Sequence, residues 1–223
     1  MPIEIEIMAE LADKFEAQQA NMEDKRAKAK QKYKENLTVH TFDEPDKEYP
    51  KTDIGNAQQL ADRYRDILRW GNKAWWKYDG MKWVTVDETA VRALAQEMVK
   101  EWTAFDQAYA YACSDIRKLN AMVSLIKDSL PLTETFDTKY WLFNCANGTV
   151  DLRTGKLQDH DALDFFTQMS PVAYEPGFQF SKFDEYIKTV TLGDQETALY
   201  LQKVAGMTLL GRVPERGFYV VHR

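Results

Sequence analysis

Residues 73–86 constrain the fold more tightly than any other stretch of this chain. Two runs rich in aromatic and β-branched residues flank Asp79 and Gly80. Trp75, Trp76 and Tyr78 precede the pair, and Trp83, Val84, Thr85 and Val86 follow it. Asp-Gly supplies the positive φ angles of a tight turn, so the two runs pair as a β-hairpin. Strand alternation sends Trp76 and Tyr78 to one side and Trp75 and Lys77 to the other. One side then faces a core and the other is free. Aromatic rings interleaved with Lys73, Lys77 and Lys82 suit base stacking and phosphate neutralisation, with Trp75 and Trp83 as the candidate stacking rings. The same residues also suit a stacked sugar ring, or a purely structural sheet in which the tryptophans are core.

Helical patterns surround the hairpin. Asn56 can cap a helix over 56–70, with Leu60, Tyr64, Ile67 and Leu68 on one face. Asp87 caps another, whose stripe is Val91, Leu94, Ala95, Met98 and Trp102. The spacing of Tyr109, Cys113, Ile116, Leu119, Val123 and Ile126 predicts a single helix over 107–130, ended by Pro131. From Tyr140 the period changes. Residues 141–144 and 149–152 read as strands around Asn147 and Gly148. Thr154 and Gly155 turn the chain into 156–160, and 166–174 adds an edge strand interrupted by Pro171. Pro176 and Gly177 mark a boundary, followed by helices over 182–192 and 195–210. Phe218, Tyr219, Val220 and Val221 form a short apolar run typical of a buried parallel strand. Such a strand needs neighbours and a crossover, so it expects further chain. The expected class is α+β: helices plus a small antiparallel β-meander.

The first fifty residues are of another kind. Lys25, Arg26, Lys28, Lys30, Lys32 and Lys34 follow an Ala-, Glu- and Gln-rich stretch. They read either as a solvated helix or frayed tail, or as a basic arm in which Lys28, Lys30 and Lys32 touch DNA. Residues 38–53 hold Pro45 and Pro50 among acidic side chains and read as a linker. A net charge of −6 argues against a surface that is one nucleic-acid platform, so DNA contact has to be local. The two cysteines, Cys113 and Cys145, have no metal-like spacing and are expected to be reduced, as in a cytoplasmic protein. No apolar run approaches the roughly 18 residues of a membrane span, and the acidic N-terminus does not resemble a signal peptide. Asp159, His160 and Asp161 do not make a metal site, because consecutive residues point in different directions. Neither G-x-x-x-x-G-K-[ST] nor G-x-G-x-x-G occurs, and the three histidines are scattered. No catalytic residue or metal ligand is therefore assigned.

A resemblance adds to this reading. Leu119 and Asn120 come first, then Trp141 to Leu157 with Asn144, Asn147, Gly148, Asp151, Leu152, Thr154 and Gly155. Asp159, His160, Phe166, Thr167, Ser170, Pro171, Val172, Tyr174 and Pro176 follow, then Phe183, Tyr200, Gly206, Leu210 and Gly211. In order and spacing they resemble the phage and plasmid primase-helicase family, related to the poxvirus primase-helicase. The segment from Trp75 to Trp83 also looks like that family's W-x-x-x-x-G-x-x-W. The resemblance covers about three quarters of the chain. It implies a charged arm and linker over 1–52 and a helicase-associated accessory domain over 53–176. It further implies that 177–223 begins an α/β, AAA+-like superfamily 3 helicase motor. In such relatives a strand like 218–221 leads into a phosphate-binding loop, so the Walker residues are expected beyond Arg223. ATP and Mg are then expected for the parent enzyme and no cofactor for this stretch. An upstream primase domain, if the family's arrangement holds, does not fit into the first fifty residues. The implied partners are single-stranded DNA, further subunits in a hexameric ring, and replication proteins. Two other classes stay open: a stand-alone DNA-binding regulator, and a protein-interaction module that recruits replication proteins.

Overall fold

The structure is a computed structural model in which residues 48–178 and 181–211 are described. Among these residues are six α-helices and two three-stranded antiparallel sheets, an α+β arrangement. Packing divides the chain into two compact units. Of the described residues, 48–136 and 161–167 belong to the first, and 137–160, 168–178 and 181–211 to the second. The arm with its lysines and the run 218–221 lie outside the described residues.

In the first unit, α1 (Asp53–Tyr64) is capped by Thr52, whose hydroxyl accepts from the Gly55 N–H at 3.1 Å. The expected cap, Asn56, lies inside the helix and is buried. Its amide accepts from the Tyr109 hydroxyl at 2.9 Å and donates to Cys113 Sγ at 3.5 Å. The helix ends at Tyr64, short of Trp70, and Leu68–Gly71 form strand β1. Asn72 and Lys73 have φ of 54° and 60°, the left-handed pair of a two-residue hairpin turn. The chain thereby reverses into β2 (Ala74–Tyr78) and then β3 (Trp83–Val86), in the order β1-β2-β3. The outer edge of β1 is covered. Trp70 N donates to Leu130 O at 2.6 Å, and Leu132 N donates to Trp70 O at 2.8 Å. Only a glycine fits at 71, where a Cβ would lie 2.5 Å from that of Leu132.

Asp87 caps α2 (Glu88–Trp102), accepting from Ala90 N at 2.8 Å, in agreement with the sequence. The helix expected over 107–130 is two helices, α3 (Gln107–Cys113) and α4 (Ile116–Ser129). The break comes from Ser114 and Asp115. The Ser114 hydroxyl donates back to Tyr111 O, and the Asp115 carboxylate accepts from Arg117 N at 2.7 Å and starts a new helix. α1, α2 and β1 all pack on α4. Leu60, Leu68, Trp75, Val91, Met98, Met122, Val123 and Ile126 form the centre of this core. A two-pronged Arg63–Glu101 pair, both bonds at 2.7 Å, ties α1 to α2.

The second unit carries the meander: β4 (Leu142–Cys145), β5 (Gly148–Asp151) and β6 (Lys156–Gln158). No strand forms over 166–174. Residues 170–172 run beside β4, with Ser170 N donating to Asn144 O and Ala146 N to Val172 O. Pro171 lies between them and has no N–H to extend the ladder. Helices α5 (Ser181–Val190) and α6 (Gln195–Met207) follow, the latter capped by Asp194. Neither has a fully buried side chain. Among the described residues, no helix is long and apolar enough to cross a membrane.

Candidate nucleic-acid interface

The hairpin forms where Asp79 and Gly80 place it. Asp79 Oδ1 accepts from the N–H groups of Met81 and Lys82 at 2.9 and 3.0 Å. Gly80 has φ 98°, and Tyr78 pairs with Trp83 across the turn. Simple alternation does not describe its two faces, because protein covers both. Trp75 is 2% exposed and packs on Trp70 with ring centroids 5.1 Å apart. Trp83 is 1% exposed and lies parallel to Phe165 at 5.4 Å. Its indole N–H donates to Ala162 O at 2.8 Å, and the Arg69 guanidinium sits 5.6 Å from its ring centre. Trp76 packs on Phe136 at 4.4 Å. Residues 161–167 thus return to seal the hairpin from the side that alternation left open. Rings enclosed this far present no face to a base, so Trp75 and Trp83 hold the sheet in place.

The lysines are arranged differently. Lys73 is exposed at the tip of the β1–β2 turn. Lys77 is half-buried in mid-strand between Leu68 and Val84, and Lys82 is half-buried in the β2–β3 turn. Lys73 and Lys82 therefore mark opposite ends of β2, about 17 Å apart at roughly 3.3 Å per residue. The structure spreads the three along a line and does not gather them at one point. None of them is bonded to a carboxylate among the described residues. By contrast, Lys51 pairs with Asp106, Lys118 with Asp53 and Lys127 with Glu88. Sequence reading missed Arg69, which shares this sheet. Burial pulls its guanidinium below the usual arginine value. The signal was Asn72, which with Lys73 makes the turn that ends β1 and so places Arg69 in a strand.

The most diagnostic stretch of sequence, 144–174, is a structural lock. Asn144 Nδ2 donates to Gln168 O at 3.0 Å. The Asn147 amide donates to Tyr174 O at 2.9 Å and accepts from Tyr174 N at 2.8 Å, replacing a strand partner. The Tyr174 hydroxyl donates to Gly155 O at 3.0 Å. Gly148, at φ 148°, lies where a Cβ would be 2.4 Å from Gln158 O. The His160 ring packs here too, with Nδ1 3.1 Å from Asn144 Oδ1. Among the described residues no group of three His, Cys, Asp or Glu side chains is placed to hold a metal ion. The Asn and Gly positions of the motif thus hold backbone together.

No curated protein sequence matches the chain significantly. The family described as D5 N terminal like matches residues 57–192, from within α1 to just past the end of α5. That match takes in both sheets and the Asn144–Tyr174 lock, and it spans more than half of the sequence. The chain therefore belongs to the D5 N terminal like family, whose domain is found in phage and viral primase-helicases ahead of a superfamily 3 helicase.

Proposed function

We propose that this chain is the accessory N-terminal region of a DNA-replication primase-helicase, which supports assembly of a ring of motor subunits and engages single-stranded DNA. The observation that carries the reading is where apolar surface is exposed relative to the family match. The match ends at residue 192. Around and beyond that point Phe183, Tyr186, Leu192, Leu199 and Tyr200 are all exposed. A groove of about 950 Å³ runs between α5 and α6, with Ile187, Val190, Leu199 and Leu201 in its lining. An apolar surface of this kind fits the opening helices of an α/β motor, covered by the rest of that motor or by a neighbouring subunit. ATP and Mg would belong to the motor and its phosphate loop.

DNA engagement in this reading falls to Lys73, Lys77 and Lys82, helped by Lys28, Lys30 and Lys32 of the arm. A chain at −6 overall attracts DNA only through local charge. Each phosphate contact contributes a salt slope of about −0.7 on a single strand. Substituting Lys73, Lys77 and Lys82 by Gln is expected to weaken binding to a labelled oligonucleotide and to flatten the slope by about 2. Fluorescence anisotropy at several salt concentrations, with circular dichroism to confirm folding, reads both. Unchanged affinity and slope in folded protein sink the hairpin contact. A preference for one duplex sequence over single strands would favour a stand-alone regulator.

A further inference from the structure

One end of the β4-β5-β6 sheet has the composition that the hairpin has lost to its core. Trp141 leads into β4 and is 41% exposed, and its ring lies 5.6 Å from that of Tyr140. Trp141 O accepts from Leu152 N at 2.9 Å, which brings the β5–β6 turn alongside. That turn carries Arg153 and Gly155 and leads into Lys156 of β6, and Asp151 pairs with Leu142 on one side and Lys156 on the other. At about 4.8 Å between strands, Lys156 stands roughly 10 Å from the β4 backbone. Segment 151–156 holds Arg153 and Lys156 with Asp151. The Arg153 guanidinium bonds Asp151 at 2.8 Å. Arg153, Lys156 and Lys139 are all exposed.

The patch is also built rigidly. Gly155 turns at φ 68° and its carbonyl is held by the Tyr174 hydroxyl. At the other side, Gly211 N donates to Tyr140 O at 3.4 Å. An exposed indole at the same end of the sheet as Arg153 and Lys156 matches the chemistry of single-strand recognition: bases stack on the ring and phosphates meet the cations.

We infer that Trp141, with Arg153 and Lys156, forms a single-stranded nucleic-acid platform on the second unit, made of residues other than the hairpin lysines. It rests on the reading of the chain as a DNA-engaging module and names a second place where the strand is held. The test uses the full chain and a fluorescein-labelled oligothymidylate. Trp141→Ala is expected to weaken binding about tenfold with the salt slope unchanged, since stacking releases no counterions. Arg153→Gln with Lys156→Gln is expected to flatten the slope by about 1.4. Photo-crosslinking of the unmodified protein to an iodouridine-bearing strand should map to Tyr140 or Trp141, which covers the case of a variant that fails to fold. Folded variants with wild-type affinity, or crosslinks confined to residues 69–86, overturn the platform and leave the hairpin reading standing. Equal loss of duplex and single-strand binding also overturns it, because a paired base offers no free face. If the wild-type chain binds no oligonucleotide at all, both readings fall together.

Discussion

Gly148 shows how much a single backbone position decides. Its φ of 148° is costly for any residue with a Cβ, and the missing Cβ is what lets the Gln158 carbonyl approach. Gly148→Ala must therefore both strain the backbone and push β6 away from β5. A loss of about 2 kcal/mol or more is expected, measured as the shift in a urea unfolding curve. Gly177 and Gly193 also have positive φ, but open space surrounds the missing Cβ there, so Ala at either should cost less than at 148. Cys145 illustrates another local effect. Burial pushes its thiol above the ordinary cysteine value, consistent with a structural residue and not a reactive one.

Among the elements, the α3–α4 break is the clearest case of polar chemistry overriding hydrophobic pattern. Cys113, Ile116, Leu119, Val123 and Ile126 keep a helical spacing in the sequence, so periodicity predicts one helix, but Ile116 is 52% exposed at the break. Ser114 and Asp115 end α3 and start α4, and Ile116 falls off the buried stripe. Asp115→Ala removes the acceptor for Arg117 N and should cost about 1 kcal/mol. Asp115→Asn keeps an acceptor and should cost less, and thermal melts of the two variants compare them directly. The hairpin teaches the converse. Its turn was legible because Asp79-Gly80 is local chemistry. Its neighbour β1 was not, because Leu68 also continues the α1 stripe, and only the Asn72-Lys73 turn and the Leu130–Leu132 backbone convert that segment to strand.

Across the chain, the charge pattern sets the response to acid. The carboxyls of Asp106, Asp115, Asp151 and Asp194 are all held below the ordinary carboxylate value. The first cause is the Lys51 ammonium at Asp106, the Arg117 backbone N–H at Asp115, the Arg153 guanidinium at Asp151 and the Thr197 hydroxyl at Asp194. A carboxyl lowered on folding stabilises the folded state above its unfolded value and loses that contribution as pH falls through its folded value. Urea midpoints are therefore expected to stay level from neutral pH to about 5 and to fall below about 4, where unfolded carboxyls begin to take up protons. Among the described residues, Lys73, Lys77 and Lys82 have no carboxylate partner while Lys51, Lys118 and Lys127 are paired.

The class, the hairpin, the faces of α2 and α4 and the order of the meander were all legible from short-range pattern. Turn residues, caps and periodicity act within a few residues and are written in the chain directly. Three matters depended on segments far apart in sequence: the conversion of 68–71 to strand, the role of 166–174, and which tryptophans keep a free face. Trp83 is enclosed by Phe165, more than eighty residues on, while Trp141 stays exposed at the end of its sheet. Both are aromatic residues at strand ends and look alike in a list of residues. Burial is a property of what packs against a side chain, and no local pattern carries that information.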